Sequence, residues 1–451
     1  MQPLRKWLIA AAALLTLKSA QAQGADSSAY AFSLKQAVDY ALQQQTSLKN
    51  AMIDEQIAQK KVWEIAGIGL PQLSASFDFK DFVEIPTSLI PGEFFGGPPG
   101  SYIPVQFGTQ YSATAGISAS QLLFDGSYIV GLQATKVYLE LARKQTERTR
   151  TETVVAVTKA YYTVMVGEER MKSLQANIDM LKKMSEDMKA MNEAGFIEKL
   201  DYDRITVAYN NLLSERDKVQ RLLDLGNALL KYQMGMDQSA RLTVTDRLAD
   251  LSFQPSTSIA DKPNYAARPE YVMMQLQYEG TNLQLRRDRF SRLPSVALYG
   301  SVQAQAQRAE FDFLDSESQR WYPIGVIGFQ VNLPLFGGLS NNWRIQQAKL
   351  GRDKAMNDLL FMERTIDLDV SNARAQLQNA SLTLETQQKN IKLAEEIFAT
   401  AKKKYEAGVG SNLEVLNAET SLKEAQANYF DALYAAIVAK VDYEKATGTI
   451  K

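Results

Sequence analysis

The side chains that could make bonds or hold ions in this chain are carboxylates, lysines, tyrosines and hydroxyls, because its 451 residues include no histidine and no cysteine. That removes the commonest general base, the commonest zinc ligands and every thiol nucleophile together. Paired carboxylates can hydrolyse glycosidic bonds, but no pair stands out from the many acids with helix-forming neighbours. No catalytic residue, metal site or cofactor is therefore expected. The 50 basic and 51 acidic residues give a net charge of −1 and form no basic stripe, so no nucleic-acid partner is expected. Five residues do stand where local physics asks for them. Gly195 and Gly408 suit the left-handed position that ends a helix. Ser411-x-x-Glu414 has the form of a capping box, and Asp201 lies early in a helix, where the dipole favours a carboxylate.

The elements around these positions are long and duplicated. Arg5 and Lys6 precede an apolar run at 7–17, and Ala20-Gln21-Ala22 offers a small-x-small cleavage site, so residues 1–22 read as a signal peptide. No later stretch is apolar enough for a spanning helix, so any membrane insertion is expected as strands. Leu70-Pro71, Phe124-Asp125-Gly126 and Glu193-Ala194-Gly195 reappear as Leu293-Pro294, Phe336-Gly337-Gly338 and Glu406-Ala407-Gly408. The interval from Phe124 to Gly195 is 71 residues and that from Phe336 to Gly408 is 72, which chance rarely produces. Residues 23–236 form a first repeat and 267–451 a second, each in the order helix, strand, strand, long helix, helix. A connector at 237–266 contains Pro255, Ser256, Ser258 and Pro263. The interval after each Phe-Gly signal lacks proline and is rich in Ala, Leu, Lys, Glu, Gln and Arg. A helix of about 65 residues is about 100 Å long and cannot fold back into a globule. Val370, Leu377, Leu384, Ile391, Phe398 and Tyr405 recur every seventh position, and Val164, Met171, Leu174, Ile178, Leu181 and Met188 follow an a/d pattern, so these helices pack lengthwise.

Four segments alternate with period two. Tyr111, Ala113, Ala115, Ile117 and Ala119 share one face, with Ser112, Thr114, Gly116, Ser118 and Ser120 on the other. The runs beginning at Gln72, Ser295 and Ile327 alternate likewise. An apolar-out, polar-in pattern is that of a membrane strand around a wet lumen. Residues 80–108, with several Pro and Gly, read as a long irregular loop, and residues 306–323, with Asp312, Asp315 and Glu317, as a second external loop. Four strands leave two open edges, which in hydrocarbon cost several kcal/mol per unpaired group, so the barrel must be completed by further copies of the chain. Two copies would give eight strands and three would give twelve.

In this order and spacing, together with Tyr405-Glu406-Ala407-Gly408 and the following Leu413-Glu414-Val415-Leu416-Asn417, the chain resembles the TolC-like outer membrane efflux proteins. The resemblance implies a mainly α fold with a membrane β-barrel part. A homotrimer would supply four strands per chain to a twelve-stranded barrel continuous with an α-barrel tube of long helices. It further implies a place in the cell outer membrane, contact with its lipid, and extension into the periplasm. The implied role is the exit duct of a tripartite efflux pump or type I secretion system, with a periplasmic adaptor (membrane fusion protein) and an inner-membrane transporter as partners. For the periplasmic gate, Tyr405 matches the family's gate tyrosine, Asp201 its first-repeat aspartate and Glu414 the first acid of its second-repeat ring. Gly410 stands where the best-known member has a gating arginine, and Asn417 where it has a second aspartate, so a differently wired closure is expected. The turns at Gly195, Phe196, Gly408, Val409 and Gly410 are the expected adaptor-docking tips. Three copies of Asp201 and Glu414 about one axis would also draw cations. The competing reading, a periplasmic coiled-coil adaptor or scaffold without channel activity, leaves the four amphipathic strands unexplained.

Overall fold

The computed structural model describes residues 29–248, 263–313 and 320–450. The expected signal peptide, the connector's Pro255, Ser256 and Ser258, and Asp315 and Glu317 lie outside the described residues. The helices are α1 (Leu34–Gln44), α2 (Thr46–Gly67), α3 (Gly126–Glu193), α4 (Lys199–Met234), α5 (Pro269–Phe290), α6 (Ser340–Glu406) and α7 (Asn412–Thr447). The strands are β1 (Ala29–Phe32), β2 (Gln72–Asp81), β3 (Thr87–Pro91), β4 (Tyr102–Gln106), β5 (Tyr111–Phe124), β6 (Arg241–Val244), β7 (Ser295–Arg308) and β8 (Tyr322–Asn332). Each long helix starts and stops for local reasons. Asp125 accepts from the Tyr128 N–H at 2.8 Å and so caps α3, which explains the Phe-Asp-Gly signal. With 68 residues, α3 is about 100 Å long. Among the described residues no helix is long and apolar enough to cross a membrane, a statement that does not bear on strands.

The chain forms two compact units, and each takes segments from both halves of the sequence. One unit, residues 53–145 and 269–363, holds a four-stranded antiparallel sheet in the order β2-β5-β7-β8. Its register aligns the alternation seen in each strand. Leu73, Ala119, Gly300 and Ile327 form one row, and Ala75, Ile117, Val302 and Gly325 a second, two positions away on the same face. The row between them, on the opposite face, holds Ser74, Ser118, Ser301 and Val326, with the Ser74 and Ser118 hydroxyls 2.7 Å apart. A sheet resting on a soluble core would bury its apolar face. Here Leu73, Phe77, Val302, Ile327 and Phe329 are each 70% or more exposed, so no core covers this face.

One expectation is corrected. Residues 80–108 are not irregular: β3 and β4 pair as an antiparallel hairpin through Leu89 opposite Pro104 and Ile90 opposite Ile103, with a 3₁₀ turn at Gly92–Phe95. Pro91 and Pro104 hide the strand pattern in the sequence, yet a two-stranded ribbon tolerates them because each strand has a free edge. The parallel pair β1–β6 is also new; with four residues apiece, these strands are too short for a period to register.

The other unit comprises residues 29–52, 146–268 and 364–450 among those described. Leu174, Ile178, Leu181 and Met188 of α3 pack against Ile205, Leu212 and Val219 of α4 in one buried seam. Ala394 and Ala401 of α6 pack against Leu422 and Val415 of α7. Where α1 meets α3 and α4, Tyr161 is fully buried. Its hydroxyl lies 3.0 Å from both the Phe32 carbonyl and an Asp246 carboxylate oxygen, and the same carboxylate oxygen caps the Leu34 N–H at 2.7 Å. Burial pushes the Tyr161 hydroxyl up to about 12.

Candidate functional site

Within the long-helix unit, the turns joining α3 to α4 and α6 to α7 share one geometry. Gly195 (φ 77°) and Gly408 (φ 72°) adopt the left-handed conformation expected at these positions. The Phe196 N–H reaches the Met191 carbonyl and the Gly195 N–H that of Asn192; in the second turn, Val409 reaches Lys404 and Gly408 reaches Tyr405. These are paired Schellman closures, which satisfy the last carbonyls of each helix. Such closures usually tuck the apolar residue after the glycine against the helix. Here Phe196 is 81% and Val409 80% exposed, so each tip presents a bare apolar side chain.

Gly410 has a different reason to be glycine. Its N–H joins that of Val409 on the Lys404 carbonyl, and the backbone turns so tightly that an added Cβ would lie 2.9 Å from the Lys404 Cβ and 3.0 Å from the Tyr405 nitrogen. A larger residue cannot enter this turn without moving it.

The gate candidates separate into two groups. Tyr405 is half-buried and packs between the α3–α4 seam and the Ala401–Val415–Ala418 cluster. Burial, then the charges of Asp201 and Asp187, raise its hydroxyl above the ordinary value, so it stays a neutral donor. Asp201 meets a cation on its own helix, with Arg204 at 3.7 Å, an exposed i,i+3 pair that contributes little. Its backbone carbonyl accepts from the Asn412 side-chain amide at 3.1 Å, which ties the start of α7 to the start of α4. Glu414 and Asn417 are exposed and line a shallow groove with Glu396, Thr400 and Lys404. The Ser411 hydroxyl accepts from the Glu414 N–H at 3.3 Å. That is the forward half of the capping box, whereas at α1 both halves form between Ser33 and Gln36.

Sequence reasoning missed Asn412, Asp187 and Glu419. Asn412, Glu419 and Gln426 recur every seventh residue on the buried side of α7, interleaved with Val415 and Leu422. Gln426 accepts from the buried Asn177 amide of α3 at 2.8 Å. Glu419 is 5% exposed, one of its carboxylate oxygens has no hydrogen-bond partner, and burial raises its pKa against the lowering effect of Lys423. The signal available in the sequence was a heptad with polar residues at its a positions. Among the described residues no cluster of acids could hold a metal ion.

A four-stranded sheet with an uncovered apolar face, combined with paired long helices that turn at glycine-capped tips, is the fold of the TolC-like outer membrane channels, to which the chain is similar. Comparison with known proteins agrees. Residues 264–449 match the family model described as outer membrane efflux protein. The chain is 24% identical over 348 residues to the probable efflux pump outer membrane protein TtgC of Pseudomonas putida, covering 75% of this chain and 69% of that one. It is 21% identical over 342 residues to the outer membrane protein TolC of Vibrio cholerae, covering 75% and 77%. In fold it is similar to the crystal structure of VceC from Vibrio cholerae, with a TM-score of 0.69 at 17% identity over 92% of this chain and 96% of the other.

Proposed function

We propose that the chain is one subunit of a homotrimeric outer-membrane exit duct, passing substrates from an inner-membrane transporter and a periplasmic adaptor to the cell exterior, and that it transports rather than catalyses. The carrying observation is the unfinished sheet. Among the described residues its edge strands β2 and β8 have no partner on one side, and nothing covers its apolar face. In hydrocarbon only closure removes that cost, and three copies give twelve strands. The helices support the same assembly. An exposed stripe of Leu222, Leu225, Leu229 and Tyr232 runs along α4, and one of Leu368, Leu382, Leu393 and Ile397 along α6, which neighbouring copies would cover. An adaptor or scaffold would have no use for the sheet. The relatives named for efflux, such as TtgC, favour small-molecule export, and the similarity to the alkaline protease secretion protein AprF of Pseudomonas aeruginosa keeps secretion within the same class.

We assign the periplasmic gate to the α3–α4 and α6–α7 turns, with Tyr405, Asp201, Glu414 and Asn417 as its polar groups. The exposed Phe196 and Val409, with Gly195, Gly408 and Gly410 shaping their turns, are the surface for adaptor hairpins. The test is the native mass of the protein extracted in mild detergent, followed by conductance in planar bilayers. Three chain masses and discrete channels are expected. A monomer soluble without detergent would overturn the reading.

A further inference from the structure

The two ends of the four-stranded sheet carry opposite charge. At the helix end, its junctions with α2, α3, α5 and α6 (residues 59–70, 125–138, 283–293 and 333–349) hold nine Lys and Arg against three acids. At the loop end, residues 81–110 and 306–323 hold seven acids against two arginines. Strands of ten residues or more keep these ends roughly 30 Å apart, beyond the reach of screened charges, so neither neutralises the other. The acids within the junctions do not do so either. Asp288 is buried and accepts from the Gln284 amide at 3.1 Å, and Asp125 caps α3. Arg286 meets neutral groups, the Gln133 side chain at 3.3 Å and the Phe290 ring at 5.2 Å. Arg289 is exposed, and among the described residues no acid pairs with it.

The side of the sheet on which Arg289 stands follows from the register. Leu122 lies opposite Ala297 on the serine side, and with Ile65 of α2 and Arg287 of α5 it lines a groove there. At about 100° per residue, Trp63 and Arg289 fall on the far sides of their helices from that groove, toward the apolar face of the sheet. Trp63 is 67% exposed. An exposed indole and exposed guanidinium groups at the edge of an apolar surface have the composition of a membrane interface.

We infer that this junction docks on the phospholipid leaflet facing the periplasm, with Arg286 and Arg289 holding anionic head groups and Trp63 seated at their level. This rests on the exit-duct reading above, which puts the sheet in the membrane. A neighbouring copy cannot take the lipid's place, because rotation about the axis brings the same cationic band to the same height.

The test offers the full-length oligomer, in mild detergent, equal amounts of dioleoyl phosphatidylglycerol and dioleoyl phosphatidylcholine, and counts retained lipids by native mass spectrometry. Phosphatidylglycerol is expected to be preferred by roughly fivefold per basic residue engaged. Arg286→Gln combined with Arg289→Gln should remove most of that preference at unchanged oligomer mass, whereas Arg286→Lys with Arg289→Lys should keep it. Lys389→Gln, which changes a lysine 75% exposed on the long-helix unit, should leave it untouched. Equal retention of the two lipids by the unaltered oligomer, or a preference that survives the double glutamine variant, overturns the docking and leaves the duct reading standing. If the double variant does not assemble, each single glutamine variant is read in the same way. Loss of assembly in the variants with no lipid preference in the unaltered protein would give the surface to a neighbouring copy. An unaltered protein that is a single chain soluble without detergent overturns both readings.

Discussion

At Gly410 the turn is packed so tightly that a side chain can enter only by moving it. An added Cβ would come within 2.9 Å of the Lys404 Cβ, so Gly410→Ala must shift the turn, at about 1–3 kcal/mol of local stability. Faster amide exchange at Val409 and Gly410, with the rest of α6 unchanged, is the expected outcome; unchanged exchange would show that the turn yields freely. Gly410→Arg should move the α6–α7 turn further and alter conductance, and equal conductance would remove this turn from the gate. Glu419 raises a separate question, because its carboxyl is buried with one oxygen unpartnered. Burial raises its pKa, so in the window between the unfolded and the raised value the packed state binds more proton than the unfolded chain. Its contribution is therefore greatest below the ordinary carboxylate range and is lost as pH rises through the raised value. Glu419→Leu should stabilise the protein at neutral pH by about 1–3 kcal/mol, the cost of a buried polar group left without a partner. The gain should shrink in acid. Thermal unfolding of both proteins at acid and neutral pH measures it, and an equal gain at both would mean that the carboxyl does not titrate with packing.

Between elements, the polar heptad of α7 acts on register rather than on strength. Asn412 holds the Asp201 carbonyl and Gln426 holds Asn177, so sliding α7 by one turn breaks both bonds while the apolar positions could still find partners. The apolar seam supplies the strength. Leu212 is 1% exposed within the α3–α4 seam, and Leu212→Ala is expected to cost about 2–5 kcal/mol. A drop in the thermal midpoint checks this, and a change within error would mean that the α3–α4 hairpin unfolds separately from the monitored transition. These seams were legible in the sequence because a stripe that must stay buried over many helical turns has to repeat, and Leu174, Leu181 and Met188 do so. The same holds for β5 and β7, fourteen residues each, whose alternation runs from Tyr111 to Ser120 and from Ser295 to Gln305. What stayed hidden was short or depended on distant partners. Four residues of β1 carry no period, prolines masked β3 and β4, and the joining of Asn412 to Asp201 crosses 211 positions that no local pattern spans. Tyr405 and Asp201 were named in the sequence and lie in one cluster, whereas Glu414 and Asn417 face a groove elsewhere on α7.

For the whole molecule, the two faces of the sheet make opposite demands, and a matched pair of substitutions separates them. Phe329 is 73% exposed on the face that the assembled barrel would turn to lipid, while Ser301 lies on the face that would line water. A lysine on the lipid face near the bilayer midplane costs about 2–4 kcal/mol per chain, and three copies about one axis repeat that cost three times. Phe329→Lys should therefore lower the yield of membrane-inserted oligomer sharply. Ser301→Lys should assemble normally, because its ammonium stays hydrated, but should shift ion selectivity away from cations. Measured together, oligomer mass in detergent and reversal potential in a salt gradient distinguish the faces. If both lysines assembled equally well and neither moved the reversal potential, the sheet would not be a barrel wall. If Ser301→Lys alone blocked assembly, the faces would be assigned the wrong way round, and the lumen would lie on the side of Leu73, Ile117, Val302 and Ile327.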